Sequence, residues 1–124
     1  EGSRIACSPQ LPHGFVLDTY HSQRQPREDE IGGIALGNWR EWWKQLFALE
    51  RVRLIDLHFR DLKKVQDFLR WEDESVEFQM IMLALRNGFE GPIRIELGLG
   101  LRYHMSMHRV VDTIGNIVST LRQM

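Results

Sequence analysis

Hydrophobic and polar residues alternate strictly over one stretch in the second half of the chain. Its apolar positions are Ile93, Ile95, Leu97, Leu99 and Leu101, and the positions between them are Arg94, Glu96, Gly98, Gly100 and Arg102. A period of two is typical of a strand that buries one face. The pattern therefore predicts a strand that continues as far as Leu101.

Beyond this stretch the apolar period lengthens to three and four residues, which is typical of a helix lying on a core. The apolar positions are Val110, Val111, Ile114, Ile117, Val118 and Leu121. We expect Ser106 and His108 to lie at the entrance of this helix. A strand followed by a covering helix is the clearest prediction that the sequence makes.

The same two patterns occur earlier in the chain. Residues Arg51 to Phe59 predict a strand, and the residues after Asp61 predict a helix that Asp61 caps. Before them, Asn38 and Glu41 resemble a capping box that starts another helix. Its apolar face carries Trp39, Trp42, Trp43, Leu46 and Phe47. Tryptophan at this spacing is typical of core packing.

The segment from Val76 to Arg86 fits both a strand and a helix, because its apolar residues satisfy either period. Acidic residues before it and the pair Asn87 and Gly88 after it are typical of a helix start and stop. We predict a helix, and a hairpin with the strand that starts at Ile93 remains the alternative.

Two strands joined through helices are most simply parallel neighbours with a right-handed crossover. We therefore predict one α/β (or α+β) domain over residues 34–124, with a small, at least partly parallel sheet flanked by amphipathic helices. Residues 1–33 are polar and proline-containing, which predicts an arm or extended lead-in whose apolar residues Phe15 to Leu17 form a short edge strand. The strand-then-helix patterns that begin at Arg53 and at Arg94 are weakly similar and lie 41 residues apart, but the chain resembles no repeat family.

Composition fits a protein of reducing compartments such as the cytoplasm. The 124 residues are 43% hydrophobic and 27% charged, with a net charge of −1, which suits one globular core and no broad nucleic-acid or lipid surface. The single Cys7 excludes an internal disulfide, and no apolar run approaches the length of about 20 residues that spans a membrane. The start at Glu1, without Met, suggests an excised fragment.

If the two predicted strands are parallel neighbours, polar side chains meet at their carboxyl ends, where α/β sheets place ligands. These side chains are Asp56, His58, Arg102 and His104. An aspartate can orient an imidazole as a general base, and a nearby arginine can hold an anion. The sequence therefore offers a ligand or active site here, although Asp56 could instead pair with Arg94 across the sheet.

Three other features have weaker links to chemistry. His104, His108 and Asp112 share a four-residue spacing, but the pattern lacks the glutamate of zinc-protease motifs, so we predict neither a metal nor another cofactor. Gly98 and Gly100 predict the close approach of a packed helix. Basic residues near Trp71 offer a nucleic-acid surface, diluted by neighbouring acids. These are Arg51, Arg53, Arg60, Lys63, Lys64 and Arg70.

For function, the sequence favours a protein-interaction or assembly module without catalytic activity. It lacks a strong catalytic motif, and its apolar residues include five Met, six Phe, four Trp and two Tyr, which suit interfaces. The expected contact surface comprises Phe15, Leu17, Tyr20, Trp39, Trp42 and Trp43, facing a partner protein or a second copy. A small enzyme or ligand-binding domain using the four strand-end residues, and a nucleic-acid-binding domain, are the alternatives.

Overall fold

The computed structural model describes residues 7–8, 14–23, 39–71 and 75–124, with the backbone alone at residues 7–8. Its strands are β1 (Cys7–Ser8), β2 (Phe15–Asp18), β3 (Val52–Phe59) and β4 (Ile93–Leu97). Its helices are α1 (Thr19–Gln23), α2 (Trp39–Ala48), α3 (Leu62–Leu69), α4 (Val76–Arg86), α5 (Leu99–Arg102) and α6 (Met107–Gln123). None of the helices in these ranges is long and apolar enough to cross a membrane.

The four strands form one sheet in the order β1-β2-β3-β4. Strand β1 is antiparallel to β2, whereas β2, β3 and β4 are parallel neighbours. The predicted α/β class and the parallel pairing of β3 with β4 are therefore confirmed. Leu17, Ile55 and Ile93 lie side by side at intervals of 38 residues, so the sheet does not follow the 41-residue spacing of the two similar patterns.

One face of the sheet carries the hydrophobic core. Leu17 of β2, the odd-numbered residues 55, 57 and 59 of β3, and Leu97 of β4 are buried there. They belong to one cluster with buried residues of the long helices, among them Trp43, Phe47, Val65, Phe68, Ile81 and Ile117. Helices α2, α3, α4 and α6 consequently cover the same face, and the alternation of the strands directs Asp18, Asp56, His58 and Glu96 away from them.

Local capping explains where two of these helices begin and end. Asp61 accepts a hydrogen bond from the backbone N–H of Lys64 at 2.9 Å, as predicted. Ser75 accepts one from Phe78 N at 3.2 Å. Helix α4 ends before Gly88, whose φ of +83° favours glycine. The helix predicted over 76–86 is confirmed, and the hairpin alternative is wrong.

The prediction that the last strand reaches Leu101 is wrong. Strand β4 ends at Leu97, and Gly98 starts the short helix α5. The N–H of Gly98 donates to the carbonyl of Phe59 at 2.8 Å, and a Cβ at residue 98 would lie 3.3 Å from that oxygen. Gly98 therefore does mark a close approach, but to the end of β3 and not to a packed helix.

Part of the segment predicted as an arm belongs to the sheet. Strand β2 lies between β1 and β3, and its Leu17 is fully buried. The short strand predicted at Phe15–Leu17 is thus present, but as an inner strand. Residues 1–6, 9–13 and 24–38, which include the capping residue Asn38, lie outside the described residues, so the division of the chain at residue 33 stays a prediction.

Candidate functional site

Polar side chains of three neighbouring strands meet on the sheet face that points away from the long helices. The parallel register places Asp18 beside Asp56 and His58 beside Glu96. All four lie near the carboxyl ends of their strands. We call Asp18, Asp56, His58 and Glu96 the sheet cluster.

The sheet cluster is compact. One nitrogen or oxygen atom from each of its four side chains lies within 4.8 Å of the others. The imidazole of His58 lies between two carboxylates, with Nδ1 3.2 Å from Asp18 Oδ2 and Nε2 3.8 Å from Glu96 Oε2. Arg94 donates to Asp56 Oδ2 at 3.0 Å, which confirms the cross-strand pairing considered from the sequence.

The chain reverses directly after β2, and this turn positions Asp18. Its Oδ1 accepts the backbone N–H groups of Tyr20 at 2.8 Å and His21 at 3.1 Å. The carboxylate thereby caps α1, while Oδ2 remains directed at His58. Asp18 thus fixes both the start of a helix and the orientation of an imidazole.

Side-chain hydrogen bonds connect helix α1 to strand β3 and helix α2. Thr19 Oγ1 accepts the backbone N–H of His58 at 3.0 Å. Ser22 Oγ accepts Trp43 Nε1 at 2.9 Å and donates to the carbonyl of Asp18 at 2.8 Å. Because buried groups hold α1 on two sides, the geometry around Asp18 and His58 is rigid.

Asp56 is the most deeply buried carboxyl group of the cluster, with 2% of the residue exposed. Burial, the neighbouring Glu96 carboxyl group and the charge of Asp18 raise the pKa of Asp56 to about 6, against the opposing effect of Arg94. When the carboxyl groups of Asp56 and Glu96 are both ionised, Asp56 Oδ1 has no hydrogen-bond partner. A buried, unpaired carboxylate oxygen is costly, so the cluster favours a positive group at this position.

The pKa values of Asp18 and His58 shift in opposite directions. Burial alone would raise the pKa of Asp18, but hydrogen bonds from His58 and the His21 backbone, together with nearby positive charge, outweigh burial and lower it. The hydrogen bond to Asp18 raises the pKa of His58, although burial opposes it. The pair therefore favours an ionised carboxylate beside a protonated imidazole.

A small cavity of about 150 Å³ adjoins the sheet cluster beyond the ends of β2 and β3. It is lined by Tyr20, Gln23, His58, Arg60, Asp61, Lys64 and Glu77. Glu77 is buried, and its Oε2 accepts from Gln23 Nε2 at 2.7 Å. His58 is the residue shared by this cavity and the sheet cluster.

Two of the four strand-end residues predicted from the sequence belong to the sheet cluster, namely Asp56 and His58. Arg102 is exposed on α5, because the strand stops at Leu97. His104 is exposed and lines a separate cavity with Arg60 and Asp61. The structure thus does not bring Arg102 and His104 into the same group of residues.

The residues of the possible metal motif and of the possible nucleic-acid surface lie apart from one another. His108 Nε2 lies 3.3 Å from Asp112 Oδ2 on the surface of α6, whereas His104 precedes the helix start at Ser106. Among the basic residues, Arg51 and Arg60 flank opposite ends of β3, about 30 Å apart at the usual rise per residue. The six basic side chains are therefore spread from one end of β3 to the other and along α3.

The aromatic surface expected from the sequence is largely internal. Leu17 and Trp43 are fully buried. Phe15, Tyr20, Trp39 and Trp42 are half-buried. In this structure the two buried residues offer no contact surface, while the other four keep part of each side chain accessible.

No family model, curated protein sequence or solved structure matches this chain.

Sequence reasoning missed Asp18 and Glu96. Glu96 is visible as a polar position in the alternation of β4, but it lies five residues before the predicted strand end at Leu101. Asp18 directly follows the apolar residues Phe15 to Leu17, which gives it a strand-end position as well. Its place beside Asp56 depends on pairing between residues 38 apart, which no local pattern reveals.

Proposed function

We propose that this chain is a cation-binding domain and that the sheet cluster is its binding site. The observation that carries the proposal is the convergence of three carboxyl groups and one imidazole from three strands within 4.8 Å. This places the function in the ligand-binding class that the sequence offered as an alternative, at Asp56 and His58.

The charges of the sheet cluster favour a positively charged ligand. When ionised, the carboxylates of Asp18, Asp56 and Glu96 carry three negative charges. Arg94 neutralises one of them, and a protonated His58 neutralises a second, which leaves one negative charge in excess. Asp18 and Asp56 are neighbours in the sheet, where like charges destabilise. A bound cation would relieve this repulsion in a partly desolvated place, where electrostatic attraction is stronger than in water.

Thermal unfolding of chelator-treated protein tests the proposal. Inorganic divalent cations and organic polyamines are added separately, and a cation at about 100 times its Kd should stabilise the chain by about 2.7 kcal/mol. The stabilisation should shrink in Asp56→Asn and Glu96→Gln. Glu90→Gln, which removes an exposed carboxylate elsewhere, should respond like the wild type. Absence of stabilisation by either class of cation would contradict the proposal.

A second candidate is the protein-interaction module, now through a different surface. Four apolar side chains, Leu99, Tyr103, Met107 and Val111, are exposed along α5 and the start of α6, and we call them the apolar row. Tyr103 is 83% exposed. Contiguous exposed apolar residues mark interaction surfaces. These four are close in sequence, and a second copy of this chain is the partner we propose for them.

Sedimentation velocity over a range of protein concentrations tests self-association. Tyr103→Lys and Val111→Lys should shift the distribution toward monomer. Leu49→Lys replaces a similarly exposed apolar residue outside the apolar row and should leave the distribution unchanged. A wild-type chain that stays monomeric at all concentrations would count against this second function.

A further inference from the structure

The sheet cluster contains a nitrogen donor as well as oxygen donors. Carboxylates alone suit Mg²⁺ and Ca²⁺, whereas an imidazole added to them favours first-row transition metals, least for Mn²⁺ and more strongly for ions late in the row such as Zn²⁺. The spacing of up to 4.8 Å between ligand-type atoms corresponds to about two metal–ligand bonds of 2.0–2.4 Å. Small side-chain adjustments would therefore close the cluster around one ion.

Hydrogen bonding decides which imidazole nitrogen is available. Nδ1 of His58 is held by Asp18 Oδ2 at 3.2 Å, so Nε2 is the nitrogen that faces Glu96. In metal sites a carboxylate commonly fixes the far nitrogen of a ligating histidine. Asp18 has the position of such a carboxylate, because its Oδ1 is already occupied by two backbone N–H groups.

Asp56 supplies an oxygen that the protein leaves unpaired. Its Oδ2 accepts from Arg94, and its buried Oδ1 has no partner among the described residues. Glu96 is partly exposed, so an ion beside it would keep access to solvent. Oxygen, nitrogen and oxygen donors thus come from two neighbouring strands, and ligand-type atoms of the three side chains lie within 4.8 Å of one another.

We propose that the cation is a divalent transition-metal ion bound by Asp56, Glu96 and Nε2 of His58, with Asp18 as a positioning residue that orients the imidazole. This inference rests on the cation-binding function proposed above and specifies its ligand class. Arg94 holds the second oxygen of Asp56 and limits that carboxylate to one bond with the ion.

Isothermal titration calorimetry of the chelator-treated chain tests the ligand class. Mn²⁺ and Zn²⁺ should each bind once per chain and more tightly than Mg²⁺ or Ca²⁺. His58→Gln should abolish this preference, because it removes the nitrogen donor. His104→Ala removes an exposed imidazole outside the cluster and should bind like the wild type.

The role of Asp18 needs a readout that a merely structural residue would not change. We expect Asp18→Asn to weaken Mn²⁺ binding by about 10- to 100-fold. In ¹⁵N NMR spectra of the metal-free variant, the His58 ring should lose its preference for a proton on Nδ1. An unchanged ring spectrum together with unchanged Mn²⁺ affinity would overturn the positioning role.

The outcomes separate this inference from the proposed function. If Mg²⁺ or a polyamine binds as tightly as Mn²⁺, and His58→Gln has no effect, the transition-metal inference fails while cation binding stands. If no cation binds, both fail. Paramagnetic broadening by Mn²⁺ in the wild-type chain requires no variant, and signals of His58 and Glu96 that stay sharp at saturation would also overturn the inference.

Discussion

Asp56 illustrates how one buried residue can couple charge to stability. Its carboxyl group is almost entirely removed from solvent, one oxygen is paired with Arg94 and the other has no partner when ionised. Its neighbours are also carboxylates. The fold without a cation therefore favours the protonated form of Asp56, and a bound cation would favour the ionised form.

This leads to a prediction on the pH dependence of folding without metal. The pKa of Asp56 rises from 3.8 to about 6 on folding. The contribution of its protonation to the free energy of unfolding is therefore complete below pH 3.8 and is lost as the pH rises through 6. This contribution is about 3 kcal/mol at most. The raised pKa of His58 acts in the same direction above pH 6.5. Stability in chelator should therefore fall between pH 4.5 and pH 8.

Urea unfolding at several pH values measures this effect. Asp56→Asn cannot ionise at residue 56 and should show a smaller loss of stability between pH 4.5 and pH 7. Glu90→Gln should keep the wild-type dependence. Equal slopes in the wild type and Asp56→Asn would show that the carboxyl group of Asp56 does not govern the pH response.

At the scale of elements, Gly98 and Gly100 have different roles although they occupy equivalent positions in the sequence pattern. A Cβ at residue 98 would lie 3.3 Å from the Phe59 carbonyl, whereas one at residue 100 meets nothing within 4 Å. The Phe59 carbonyl accepts the Gly98 N–H and belongs to a central strand, so it has little freedom to move.

We expect opposite effects from two alanine substitutions. Gly98→Ala should destabilise the fold by about 1 kcal/mol, because the added methyl group crowds the end of β3. Gly100→Ala lies in helix α5 and should be neutral or stabilise by up to about 1 kcal/mol. Chemical denaturation measures both free energies of unfolding. A result with Gly98→Ala as stable as Gly100→Ala would exclude the proposed close approach.

The elements that the sequence predicted well are those with long periodic patterns. Strand β3 and helices α3 and α6 follow from eight or more residues with one clear apolar period each. The end of β4 was not predictable in this way, because Gly98 and Gly100 continue an alternation that the backbone does not follow. The strand ends where its partner β3 ends, at Phe59, which is distant in sequence.

At the scale of the whole molecule, helix-joined strands were enough to predict parallel neighbours. The inner position of β2 was not, because a four-residue strand is too short for a periodic signal. Its pairing with β3 depends on contacts formed after folding brings distant residues together. For the same reason Asp18 was not among the residues predicted to lie at the strand ends with Asp56 and His58.

The inner position of β2 predicts that residues 34–124 do not fold normally alone. Their isolation would remove the fully buried Leu17 and uncover one edge of β3. Even Leu17→Ala in the full chain should cost about 2–5 kcal/mol, a large part of a typical folding free energy. Circular dichroism should show no cooperative thermal transition for residues 34–124. A transition at the full-length Tm would instead support an independent domain.

The strands follow one another across the sheet in the order in which they occur along the chain. Within the described parts of the chain, strand β3 has a parallel partner on each side, whereas β4 has one. Amide hydrogens of β3 should therefore exchange with deuterated solvent only in rare, extensive openings, while those of β4 exchange through smaller openings at one edge. The order of strands would thus appear directly as an order of exchange rates.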